Sequence, residues 1–206
     1  MNALWIGGST CAWKTTVAKA LAKRHGLAVY HVDEHEAEHV ARHDPTLHPT
    51  YARWIAMTAS ERWAESSVDE LVDDTRALVG ERFPMIVDDI RSGGAPVIVE
   101  GFQVYPSHVV RVLDSPRRAV FLVCTPRFRR ERHYARPHAR QMPNETSDPE
   151  RAQANRLDRD DRVGEEVAAE ARALGLKLVE VDGSRGVHEI IDEVEAWFRP
   201  YLPLRS

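Results

Sequence analysis

The sequence predicts an α/β fold, a three-layer sandwich around a five-stranded parallel sheet. Two observations predict it. Five short apolar runs alternate with segments of helical periodicity along the 206 residues, the pattern of parallel strands joined by right-handed crossovers. The first of these runs ends in a Gly-Gly pair just ahead of a helical segment, as a buried strand does on entering a tight turn.

Taken in order, residues 3–6 (ALWI) form the first strand, and residues 15–24 place Val17, Ala18, Leu21 and Ala22 at helical spacing before Gly26 stops the helix. Residues 27–32 (LAVYHV) form the second strand. Residues 35–93 read as a mostly helical insert, interrupted or bounded by Pro45, Pro49 and Pro84. Residues 96–100 (PVIVE) and 119–124 (AVFLVC) are continuous apolar runs, as expected of central strands buried on both faces. Residues 127–140 are an arginine-dense helix or lid, 141–149 a loop, and 150–174 a polar helix ending at Gly175. Residues 177–181 (KLVEV) are the last strand, and 187–198 an amphipathic helix.

Composition narrows the function classes. Apolar residues make up 43%, enough for a core, and the net charge of -4 disfavours a nucleic-acid partner. Cys11 and Cys124, the only cysteines, lie far apart and outside any metal spacing, so no disulfide framework organises the chain. The N-terminal residues lack the basic and apolar regions of a signal peptide, and no run is long enough to cross a bilayer. The expectation is a cytoplasmic chain without a membrane partner.

Ligands of such sheets sit beyond the carboxyl ends of the strands. Gly8-Ser9-Thr10-Cys11-Ala12-Trp13-Lys14-Thr15 lies there, and it matches the phosphate-loop pattern G-x-x-x-x-G-K-[ST] except at Trp13. Backbone amides at the helix start wrap an anionic phosphate. Lys14 is expected to bridge the β and γ phosphates, and the Thr15 hydroxyl to hold Mg²⁺, with ATP as the nucleotide. Glycine in place of Trp13 lets the backbone approach phosphate closely. Three outcomes stay open for the indole: it points away, it crowds the β-phosphate, or it fills the phosphate cavity. A tight turn capping an ordinary helix is the plain alternative to a phosphate site.

With these residues in view, the chain resembles the P-loop kinases of the nucleoside-monophosphate-kinase type, a grouping that includes shikimate kinase, gluconate kinase and chloramphenicol phosphotransferase. The resemblance rests on GGSTCAWKTT, YHVDE, VIVEG, FLVCTPRFRRERHYAR and VEVDGS after the successive strands. It implies ATP-dependent phosphoryl transfer to a small-molecule or nucleotide acceptor. It also implies an acceptor site in the helical insert, residues 35–93, and a lid over residues 127–149. By position, Asp33 contacts the acceptor hydroxyl and serves as general base, with a helix N-cap as the alternative. Glu100 joins Thr15 at Mg²⁺. Arg129, Arg132 and Arg136 correspond to the lid arginines that bind phosphate oxygens and neutralise charge in the transition state. Asp182-Gly183 corresponds to the loop beside the adenine, and Thr16 follows the loop into the nucleotide site.

Two other classes compete. His35-Glu36-Ala37-Glu38-His39 spells H-E-x-x-H, with His43 a further turn on, the pattern of a zinc metallopeptidase. The surrounding segment is rich in His and acidic residues throughout, which makes a chance match easy. Trp13 also suits a catalytically inactive nucleotide-binding or sensing protein.

Overall fold

The computed structural model describes residues 2–135 and 141–203. In chain order the elements are β1 (Ala3–Gly8), α1 (Lys14–His25), β2 (Ala28–His31), α2 (Glu36–Arg42), α3 (Pro49–Ala56), α4 (Val68–Gly93) and β3 (Val97–Glu100). They continue with α5 (Pro106–Val109), β4 (Ala119–Cys124), α6 (Pro126–Tyr134), α7 (Gln141–Asn144), α8 (Pro149–Ala173), β5 (Lys177–Val181) and α9 (Val187–Phe198). Short helical turns at Val32–His35 and Glu61–Glu65 join β2 to α2 and α3 to α4.

The five strands form one parallel sheet in the order β2-β3-β1-β4-β5. The connection leaving β1 runs toward β2 on one side, and the connection leaving β4 runs to β5 on the other. The two diverge at the carboxyl ends of β1 and β4, which opens a crevice there.

Side-chain alternation assigns the two faces. Ala3, Trp5, Val99 and Phe121 pack with Val79, Phe83 and Ile86 of α4 and Val163 and Val167 of α8. Leu4, Ile6, Ile98, Val120 and Leu122 pack with Val17 and Leu21 of α1 and Ile190, Val194 and Phe198 of α9. A strand with apolar residues on both faces needs helices on both faces, and each large side chain so buried contributes about 1.5–3 kcal/mol.

Two expectations change. Pro84 does not bound a helix: α4 runs through it. A proline inside a helix costs about 3 kcal/mol through the lost hydrogen bond and ring clash. Phe83, Met85, Ile86, Val87 and Ile90, all buried around it, outweigh that cost at about 1.5–3 kcal/mol per side chain. A capping box also holds the start of α4: the Ser67 amide donates to Glu70 at 2.8 Å, and the Glu70 amide donates to the Ser67 hydroxyl at 3.2 Å. The loop expected over 141–149 contains the short helix α7, whose Pro143 carbonyl accepts from the Thr146 hydroxyl at 2.7 Å. Among the described residues, no helix is long and apolar enough to cross a membrane.

Candidate active site

The loop between β1 and α1 sits in the crevice and is fastened to its neighbours. Gly8 has φ +121°, and a Cβ on it would lie 1.9 Å from the Leu122 carbonyl oxygen, so β4 passes too close for any side chain. The Ser9 amide donates to the Leu122 carbonyl at 2.9 Å, and the Ser9 hydroxyl accepts from the Cys124 amide at 2.9 Å. The Thr10 hydroxyl donates to Asp160 of α8 at 2.8 Å, and Cys124 Sγ donates to the Thr10 carbonyl at 3.0 Å. Cys11 and Trp13 both take left-handed backbone, each at φ 62°. Trp13 is the residue that enters α1, and its side chain makes no capping hydrogen bond. The first-turn amides therefore have no side-chain acceptor from the cap, as an anion site at a helix start requires.

Lys14 is buried and its Nζ donates to the Ser9 carbonyl at 2.6 Å. Burial pushes the ammonium below the usual lysine range, and the carboxylates of Glu100 and Asp33 pull against that shift. The Thr15 hydroxyl donates to Glu100 Oε1 at 3.0 Å, and His31 Nδ1 lies 2.6 Å from the same oxygen. Parallel pairing explains the meeting: β1 and β2 flank β3 in register, with both Ile6 and His31 opposite Glu100.

Asp33 stands in the turn after β2. Burial raises its pKa above the usual aspartate range; Lys14 lowers it and Glu100 raises it further. With its amide nitrogen facing Asp33, Gln103 donates to Asp33 Oδ1 at 2.9 Å and accepts from Arg82 at 2.9 Å. Arg82 is buried within α4, pairs with Glu36, and donates to His39 Nδ1 at 3.0 Å. A pocket of about 300 Å³ adjoins this chain of contacts. Tyr51, Trp54, Trp63 and Phe102 supply its apolar wall, and Arg82, Gln103 and Arg159 supply polar groups. The Arg159 guanidinium lies 5.1 Å from the ring centres of both Trp63 and Phe102.

A second cavity, about 340 Å³, opens over the loop between Cys11 and Thr16 and is bounded by Arg132 and Ala135 of the α6 segment. The Trp13 ring stands edge-on to Phe128 of α6, with centroids 5.2 Å apart, and the Arg132 guanidinium lies 5.9 Å from its centre. Beyond Phe128 comes the loop after β5. A Cβ on Gly183 would lie 3.0 Å from the Phe128 ring, and Asp182 Oδ1 accepts from the Ser184 amide at 2.9 Å and its hydroxyl at 2.6 Å.

Lys14, Thr15, Glu100 and Asp33 thus converge, and Trp13, Thr16 and Arg132 border one cavity. Arg129 does not border it. Its guanidinium pairs with Asp161 and donates to the Cys124 carbonyl at 3.4 Å. The α6 register turns it toward α8, where a Cβ on Gly164 would lie 2.7 Å from it. Arg136 falls outside the described residues. The H-E-x-x-H spelling makes no metal set. His35 ends a short turn while His39 lies in α2. Both His39 nitrogens are engaged, by Arg82 on one side and by Asp89 at 3.1 Å and Tyr30 at 3.3 Å on the other. Burial lowers the His39 pKa, and Arg82's hydrogen bond occupies the Nδ1 that a second proton would need.

Sequence reasoning missed His31, Arg82, Gln103 and Asp160. His31 and Gln103 carried a signal in their placement, one at the end of a strand and the other just beyond one. Arg82 and Asp160 carried none, because each lies inside a long charged helix.

No family model matches the chain, and no curated protein sequence matches it. Among solved structures, it is similar to the unliganded crystal structure of a sugar kinase from Janibacter sp. HTCC2649. The two are 18% identical, the match covers 97% of this chain and 95% of the other, and the TM-score is 0.48.

Proposed function

We propose that this chain is an ATP-dependent phosphotransferase acting on a small-molecule or nucleotide acceptor. The observation that carries the reading is the buried Lys14 ammonium at the start of α1, with Thr15, Glu100 and Asp33 gathered around it. A buried ammonium at the start of a helix whose first-turn amides have no side-chain cap suits an anionic ligand.

The residues fit both groups the reading implies. The Thr15 hydroxyl and the Glu100 carboxylate are hard oxygen ligands of the kind Mg²⁺ takes, and His31 orients the carboxylate. Mg²⁺-ATP supplies the transferable γ-phosphoryl group. Lys14 would neutralise phosphate charge, and the loop amides would donate to phosphate oxygens. Asp33 receives the acceptor hydroxyl's hydrogen bond and takes its proton. Its raised proton affinity makes it a stronger base than an exposed aspartate, and Gln103 fixes its orientation. The pocket beside Arg82 and Gln103 receives the acceptor. Arg132 reaches over the loop cavity from α6 and adds positive charge there. Arg136 keeps its sequence-based assignment to the lid, as does the lid role of residues 127–149. Two retained carboxylates, Asp33 and Glu100, favour transfer over a purely sensing role.

The test is calorimetric titration with Mg²⁺-ATP, followed by detection of ADP across a panel of hydroxyl-bearing acceptors. Binding that requires Lys14, and turnover that requires Asp33, support the reading. A folded protein that binds neither ATP nor inorganic polyphosphate overturns it.

A further inference from the structure

We infer that Trp13 is the platform on which the base of the bound nucleotide stacks, an inference that rests on the nucleotide reading above. Glycine is the residue expected at this position of the loop, so a large side chain there calls for a physical account. The backbone itself is what a glycine would adopt, with φ 62° and ψ 14°. A left-handed conformation is disfavoured for any side chain. The chain therefore keeps the loop's geometry while carrying an indole that packs against Phe128.

The direction is set by contacts. The ring's neighbour is Phe128, edge-on at 5.2 Å and 81°. Phe128 is in turn backed by Gly183, whose φ of +89° lets the loop after β5 come within contact of the ring. The indole is thus propped from behind. Lys14 Nζ, not the indole, reaches back to the Ser9 carbonyl across the loop. Trp13 also borders the 340 Å³ cavity lined by Thr15, Thr16 and Arg132.

The Arg132 guanidinium stands 5.9 Å from the indole centre. That is the outer edge of cation–π range, about 6 Å, and too far for direct plane-to-plane contact. An indole and a guanidinium lining one cavity are both surfaces on which nucleobases stack, and the indole supplies the platform here. Every nucleobase has a π face, so such stacking tolerates base identity. The expected ligand is a nucleoside triphosphate of either purine, bound with little discrimination between ATP and GTP.

The experiment compares Mg²⁺-ATP with Mg²⁺-tripolyphosphate by calorimetry, on the wild type, Trp13→Gly and Trp13→Phe. The ratio of the two affinities isolates what the nucleoside part adds. Loss of one base–aromatic stack is expected to lower that ratio by about 5- to 160-fold in Trp13→Gly, while Trp13→Phe keeps most of it. In the wild type, ATP but not tripolyphosphate quenches the emission that Trp13→Phe lacks. A ratio unchanged in Trp13→Gly, or one that rises because the indole had occupied the base's space, overturns the inference and leaves the phosphate-loop reading standing. If neither ligand binds to folded wild type or to folded Trp13→Gly, the nucleotide reading falls and this inference with it.

Discussion

Replacing Lys14 by methionine separates binding function from stability. The side chain keeps nearly its volume and loses its charge. In the native state Lys14 is 9% exposed, with a 2.6 Å hydrogen bond to the Ser9 carbonyl and the attraction of Glu100 and Asp33. A charge-assisted hydrogen bond is worth about 1.5–3 kcal/mol. Taking an ammonium out of water costs several kcal/mol in effective terms. Burial lowers the Lys14 pKa while Glu100 and Asp33 pull it back up, so the two effects oppose each other. Lys14→Met removes the desolvation cost but leaves Asp33 and Glu100 without their cation, so the two effects largely offset and Tm should stay within roughly 2–4 °C of wild type. The same variant should lose ATP affinity or turnover by about 10²- to 10³-fold, the effect of removing one preorganised charge-stabilising group. Thermal melts and ATP calorimetry on the two proteins make the comparison. A variant that melts several degrees lower and binds ATP as the wild type does would refute the reasoning on both counts. The pH dependence has a definite sign. A base with a lowered folded pKa favours the folded state increasingly as pH rises toward its ordinary value of about 10.4. Wild type should therefore gain stability relative to Lys14→Met in alkaline buffer.

Asp33→Asn should keep ATP binding and lose about 10²- to 10⁴-fold in turnover. The wild-type rate should fall on its acid side at a pH above the ordinary aspartate value of about 3.9, because burial raises the pKa; steady-state rates against pH check both. Gly8→Ala puts a Cβ 1.9 Å from the Leu122 carbonyl at φ +121°. Steric overlap and left-handed strain together should cost about 3 kcal/mol or more, visible as a lower melting temperature. Asp89→Ala removes the acceptor shared by Tyr30 at 2.6 Å, His39 at 3.1 Å and Arg42 at 2.7 Å, and should cost about 2–3 kcal/mol. Burial opposes the Asp89 charge, but hydrogen bonds from those three groups hold the carboxyl well below the usual range. The stabilisation is thus present above about pH 3.9 and is lost as pH falls through the depressed folded value. Chemical denaturation at neutral and acid pH should show the gap closing only in the acid series.

Much of the architecture was legible because short-range chemistry dictates it. Continuous apolar runs such as PVIVE and AVFLVC have to be buried on both faces, and Gly26 and Gly175 both take left-handed backbone just beyond helix ends. The loop was legible because Gly8, Lys14 and Thr15 serve one local geometry. Pro84 misled because a propensity read locally is overruled by a buried helix face assembled from distant segments. Arg129 misled because a run of arginines has no direction until the helix register is set, and that register turned it to Asp161.

The sequence by itself determined the α/β class, the strand assignments and the loop that leads from β1 into α1, since each depends on neighbours a few positions apart. Only the tertiary structure decided the strand order, the meeting of Glu100 with Thr15 and His31, the burial of Arg82 beside His39, and the side to which the Trp13 indole turns. Those are contacts between residues tens of positions apart in the chain. No local preference encodes them; they exist only once the helices have closed over the sheet and fixed which side chains share a volume.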